Sequence, residues 1–181
     1  MTVAQLLYRA RIKLGDPNKA KISDYSLLDA LKSVLTLVST ALDNTTSNLL
    51  VQSAEISMTD GVGDLPADFQ SLVSVENGWR HAPLNRKPGR GEYQLLGDKI
   101  YADETTVSIL YKKQLQVSSA SDPVPLPDTF TELLIKFIKI FLEDGVTKTD
   151  ADLLSMISPE VYRLAAGRER TELRQQLIFR M

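Results

Sequence analysis

Cysteine is absent from these 181 residues. That absence removes disulfides, thiolate nucleophiles and every cysteine-based metal site. Histidine is nearly absent as well. His81 stands alone, so a multi-histidine metal centre within one subunit is ruled out. The only metal chemistry left open is a carboxylate-held Mg²⁺ or Ca²⁺. Long apolar runs are missing too. The most apolar stretch, residues 133–142, is interrupted by Lys136 and Lys139 and falls well short of the roughly 20 residues that span a bilayer. No basic segment followed by an apolar one opens the chain, so the expectation is no leader peptide, no membrane partner, and synthesis in a cytoplasm. Neither sign of charge is in excess. Lys and Arg number 21 against 23 Asp and Glu, a net of -2. This balance excludes a protein that coats DNA in bulk and leaves room for a local basic surface.

Hydrophobic residues make up 43% of the chain, enough for a core. The length suits one domain over residues 1–181, since domains typically run about 100–200 residues. Within it the pattern divides into N-terminal helices (1–47), a β module (48–116) and C-terminal helices ending in a docking tail (126–181). Thr2 is placed to cap a first helix with Val3, Leu6, Leu7, Ala10 and Leu14 at helical spacing. Arg9, Arg11 and Lys13 then sit near the end that favours cations, and Gly15-Asp16-Pro17 stops the helix. Ser23 or Asp24 caps a second helix, whose Leu27, Leu28, Leu31, Val34, Leu35, Val38 and Leu42 give the clearest amphipathic stripe in the chain.

Residues 49–58 and 71–76 read as strands. Asn77-Gly78 signals a tight hairpin with residues 79–84 as the return strand. Residues 93–96 and 99–102 read as short strands joined by Gly97-Asp98. Residues 105–115 alternate, are rich in β-branched side chains and predict the longest strand. A polar connector follows, and Pro127 opens a third helix that is apolar over much of its circumference. Thr149 or Asp150 then caps a short helix through Ile157, and Ser158-Pro159-Glu160 opens a last helix. The expected class is therefore α+β: a helical bundle from the N- and C-terminal helices with a small antiparallel β module in the middle.

Catalytic patterns are weak. Gly61-Val62-Gly63 begins like a dinucleotide fingerprint, but Pro66 stands where the third glycine belongs, so a turn is the expectation. Asp60, Asp64 and Asp68 would align as a metal face only in a helix, which the glycines and Pro66 forbid. No enzyme, catalytic residue, cofactor or metal is expected.

One basic and aromatic cluster stands out: Trp79, Arg80, His81, Arg86, Lys87 and Arg90, with no acid between Arg80 and Arg90. These residue types suit phosphate contact or an interface with protein. They are candidates for contact with DNA or with a neighbouring protein. A second set is a candidate for contact between subunits or with a larger partner. Glu143 and Asp144 sit at a helix C-terminus, where the dipole disfavours anions. They are expected to meet Arg163, Arg168, Arg170, Arg174 and Arg180, within one subunit or across subunits. Leu177, Ile178, Phe179 and Met181 give the chain an apolar tail suited to docking.

The order of these segments resembles the head-to-tail adaptor (connector) proteins of tailed bacteriophages. The resemblance rests on Ser23-Asp24-Tyr25-Ser26-Leu27-Leu28 in the second helix, on Leu65-Pro66-Ala67-Asp68-Phe69 leading into Leu72-Val73-Ser74-Val75, and on Pro125-Leu126-Pro127-Asp128 before the helical close. It implies a virion protein of the neck. Copies would form a ring, usually dodecameric, between the portal and the tail or its nozzle and completion proteins. The ring would extend the channel through which double-stranded DNA passes on ejection. It also implies that the C-terminal segment reaches toward the portal. The alternative is a small nucleic-acid-binding protein using the basic and aromatic residues 79–90.

Overall fold

The computed structural model describes residues 1–75, 78–144 and 148–178, with residue 144 and residues 168–178 described by backbone alone. The chain divides into two units. Met1–Leu49 and Leu115–Met181 make a helical unit, and Leu50–Gln114 makes a β unit.

In the helical unit, α1 (Val3–Lys13) begins at a capping box. The Thr2 hydroxyl accepts from the Gln5 amide at 3.3 Å, and the Gln5 side chain accepts from the Thr2 amide at 3.0 Å. Two orphan donors of the first turn are thereby satisfied. The chain leaves α1 through Gly15 at φ +67°, the left-handed conformation that glycine adopts without steric cost. α2 (Asp24–Asp43) is capped by the Ser23 hydroxyl, which accepts from the Ser26 amide at 2.9 Å. Its Leu27, Leu31, Leu35, Val38 and Leu42 are fully buried against α3 (Thr131–Asp144) and α4 (Asp150–Ile178). Each such side chain contributes about 1.5–3 kcal/mol of burial. Among the described helices, α2 alone is long and apolar enough to cross a bilayer, and just over half of that stretch is buried within the protein. Ser39, inside α2, accepts from the Leu115 amide at 3.1 Å where the chain returns from the β unit.

The loop from α1 to α2 closes around a buried arginine. Arg11, 2% exposed, donates to Asp16 at 3.0 Å, to the Ile22 carbonyl at 2.8 Å and to Asp24 at 2.8 Å. Asp16 in turn accepts the amides of Ala20, Lys21 and Ile22. From sequence the same residue reads as a cation near the helix end that favours one. Its spacing from Asp16 and Asp24 carries no helical or strand period.

The β unit holds two sheets. In the first, β7 (Thr106–Lys113) lies between β1 (Val51–Ser57) and β3 (Phe69–Val75), all antiparallel. In the second the order is β2 (Val62–Asp64), β6 (Lys99–Ala102), β5 (Glu92–Leu96), β4 (Arg80–His81). Ile56, Val75, Ile100, Ala102, Val107, Ile109 and Tyr111 form its core. Gly63 is needed where it stands: a Cβ there would sit 2.5 Å from Ile56 and 2.7 Å from Met58. The Leu65–Phe69 segment is a clamp. Asp68 accepts the Tyr111 hydroxyl at 2.9 Å, Phe69 stacks on the Tyr111 ring at 5.8 Å, and the Asp68 carbonyl accepts the Gln114 amide at 2.7 Å.

Three expectations are corrected. The helices are not a dominant bundle carrying one small antiparallel sheet. The strands make two sheets with a core of their own, and the second sheet includes a parallel pair, β4 with β5. The hairpin across Asn77-Gly78 is not made. Asn77 lies outside the described residues, but β3 pairs with β7, and β4 pairs with β5. β7 offers an apolar face of Val107 and Ile109 that β3 covers with Val75, a non-local gain that outweighs the local turn signal. Lastly, the short helix and the last helix are one 29-residue element with Pro159 inside it. The Ser155 and Ser158 hydroxyls donate to the carbonyls of Asp152 and Leu154, adding side-chain bonds in the turn where proline supplies no donor.

Candidate functional site

The basic and aromatic cluster lies wholly in the β unit. Trp79 is half-buried against the core. Arg80 and His81 form β4, both exposed, and the His81 ring meets Tyr93 edge-on at 5.5 Å. The chain then leaves the sheet at the buried Ala82, whose amide donates to the Tyr93 carbonyl at 2.8 Å, and loops back to Glu92.

That loop is built by two side chains of β5. Gln94, buried, donates to the carbonyls of Pro83 and, at 2.8 Å, Arg86. Glu92 accepts both ends of the Arg86 guanidinium at 2.6 Å and the Gly89 amide at 2.9 Å. The doubled hydrogen bond from Arg86, with the Gly89 amide and the charges of Arg86 and Arg80, outweighs partial burial and holds the Glu92 carboxyl at about 2. The same bond raises Arg86 above its ordinary value. Arg86 is thus a structural residue of the loop, committed to Glu92. Lys87 and Arg90 point to solvent, with Arg90 only loosely paired to Glu104 at 3.9 Å. The cluster therefore presents Arg80, Lys87 and Arg90 outward on a frame fixed by Arg86, Glu92 and Gln94.

Beside the loop lies an open cleft of about 640 Å³, lined by Leu84, Lys87, Leu96, Tyr101, Asp60 and Asp103 among others. Leu84 and Leu96 are both exposed. The mixture of cations, acids and apolar side chains suits contact with a protein surface better than a phosphate backbone, which calls for cations alone. Of the three spaced aspartates, Asp64 pairs with Lys99 at 2.7 Å and raises that lysine's pKa through the hydrogen bond, while Asp68 is taken by Tyr111. Burial and the Asp68 bond together raise the Tyr111 hydroxyl.

The second candidate set lies in the helical unit. Glu143 is exposed, and its described partner is Lys139 at 3.8 Å on its own helix. Asp144 closes α3, and its side chain lies outside the described residues. Arg163 is exposed on α4 without an ion pair among the described residues. Arg168, Arg170, Arg174, Leu177 and Ile178 continue α4 as helical backbone. Phe179, Arg180 and Met181 lie outside the described residues.

The residues that sequence reasoning passed over are Glu92 and Gln94, which make the loop. Their signal was present: they alternate on β5 with Tyr93 and Leu95, so both face one side of the sheet. The chain matches no known family model and no curated protein sequence.

Proposed function

We propose that this chain is a structural virion protein, a head-to-tail adaptor of the tailed-phage kind. Copies form a ring, taken to be a dodecamer, between the portal and the tail or its nozzle and completion proteins, and double-stranded DNA passes through the lumen. The protein acts in the neck of the particle after synthesis in the host cytoplasm, and it has no catalytic role. The observation that carries the reading is the order of landmarks: Ser23 to Leu28, then Leu65 to Val75, then Pro125 to Asp128.

Support comes from the fixed loop of residues 82–91. A rigid loop presenting Arg80, Lys87 and Arg90 together with Leu84 suits a platform for neighbouring protein. The commitment of Arg86 to Glu92 also leaves fewer cations for a nucleic-acid-binding reading of residues 79–90. A near-neutral net charge is compatible with a passage that DNA must traverse without being held. The C-terminal run from Arg168 through Arg170, Arg174, Leu177, Ile178 and Phe179 to Met181 is the segment assigned to the portal.

The test is imaging of the purified full chain mixed with portal complexes encoded beside its own reading frame. Ring-shaped density added below the portal is the expected result. Bare portals at saturating protein overturn the reading. Salt titration separates the alternative: DNA binding by a monomer that weakens steeply with salt would replace the adaptor with a nucleic-acid-binding protein.

A further inference from the structure

Among the described residues, two helix faces of the helical unit are left apolar and uncovered, and they differ from each other. On α1, Tyr8 and Ile12 are 58% and 53% exposed. They edge an open groove of about 820 Å³ whose banks carry Arg9 on one side and Asp128, Thr131 and Glu132 on the other. On α4, Met156 and Tyr162 are 41% and 42% exposed. Helical periodicity sets them on one outward face with Pro159, bracketed by Asp152 and Arg163.

The charges complement each other. Among the described residues Arg9 and Arg163 have no ion pair, and Asp152 is exposed, hydrogen-bonded to Thr149 and under the charge of Lys148 at the start of α4. Among the described residues the Asp128 carboxylate has one charged partner, the chain's amino terminus at 3.9 Å. Arg9 and Asp128 line the same groove. Asp152 and Arg163 stand roughly 16 Å apart along α4. The long arginine side chains give each pairing its reach.

We propose that the α1 groove receives the outward face of α4 from a second copy of this chain, with Asp152 on Arg9, Arg163 on Asp128, and Met156 and Pro159 against Tyr8 and Ile12. The contact joins one patch to a different patch, so each copy keeps a free groove and a free ridge and association runs head to tail until it closes. The inference rests on the ring reading above for its biological sense, and on the two faces for its geometry.

The absence of cysteine makes the test direct. Full-length Tyr8→Cys and Met156→Cys, each at an exposed position, are mixed and oxidised. The expected product is a covalent dimer that forms in the mixture and in neither variant alone. Arg9→Glu and Arg163→Glu, followed by sedimentation with the melting curve as a control on folding, are each expected to weaken association about tenfold or more. Homodimers of either cysteine variant in place of the mixed product, or no cross-link in the mixture, overturn the contact. Portal-bound rings lacking the 8–156 bond would overturn this contact and leave the ring reading standing. An 8–156 bond in a chain that adds nothing to portals would keep the contact and remove the adaptor.

Discussion

Arg11 shows what one side chain can decide. Its guanidinium stands between two carboxylates and a carbonyl, so its removal strands Asp16 in the interior. Arg11→Met should lower the urea midpoint, because Asp16 keeps its three amides but loses its counter-charge. Asp16 responds to pH. Burial, the largest influence on it, raises its pKa, but the amides of Ile22, Lys21 and Ala20 and the charge of Arg11 together bring it below the ordinary 3.8. A depressed folded value means that the stabilisation is present above 3.8 and is lost as pH falls through the folded value. The stability gap between the native chain and Asp16→Asn should therefore narrow on acidification. Glu92 behaves alike over a wider window, from its ordinary 4.5 down to about 2. The Gly89 amide's protection, its exchange rate relative to the intrinsic rate at the same pH, should be high at pH 6 and fall as pH drops through that window. Glu92→Gln should show the low protection already at pH 6. Unchanged Gly89 protection in Glu92→Gln would show that the loop is held some other way.

At the scale of elements, α4 carries the clearest consequence. Proline in a helix interior costs about 3 kcal/mol, so Pro159→Ala should stabilise the helical unit by up to about that amount, seen as a raised melting temperature. In the β unit, Gly63→Ala should destabilise by about 1–3 kcal/mol, because Ile56 and Met58 must move aside. The elements also show which structure was legible beforehand. Thr2, Ser23, Gly15 and the α2 stripe were legible because caps and amphipathic faces are written within one or two turns. The β5–β6 hairpin over Gly97-Asp98 was legible for the same reason. The pairing of β3 was not, since its partner lies more than thirty residues on and is chosen by the shared core of Val75, Val107 and Ile109. The outward Arg80, Lys87 and Arg90 could be named from the sequence. The withdrawal of Arg86 could not, because its partner Glu92 is brought back only when Gln94 closes the loop.

At the scale of the molecule, the β unit is a single uninterrupted stretch, whereas the helical unit is assembled from both ends of the chain. Its first and last strands are neighbours, with Val51 opposite Lys112 in an antiparallel ladder. Paired residues in such a ladder stand only about 5 Å apart. The excised Leu50–Gln114 fragment should therefore unfold cooperatively on its own. The remainder, rejoined by a short glycine linker, should keep its helical circular dichroism. Loss of helicity in that remainder would mean that the helices depend on the strands. A segment that departs and returns through the same doorway can be lengthened, shortened or traded for another without asking the surrounding framework to shift. Variation among descendants of this chain should accordingly accumulate between those two thresholds, while the residues framing the doorway stay as they are.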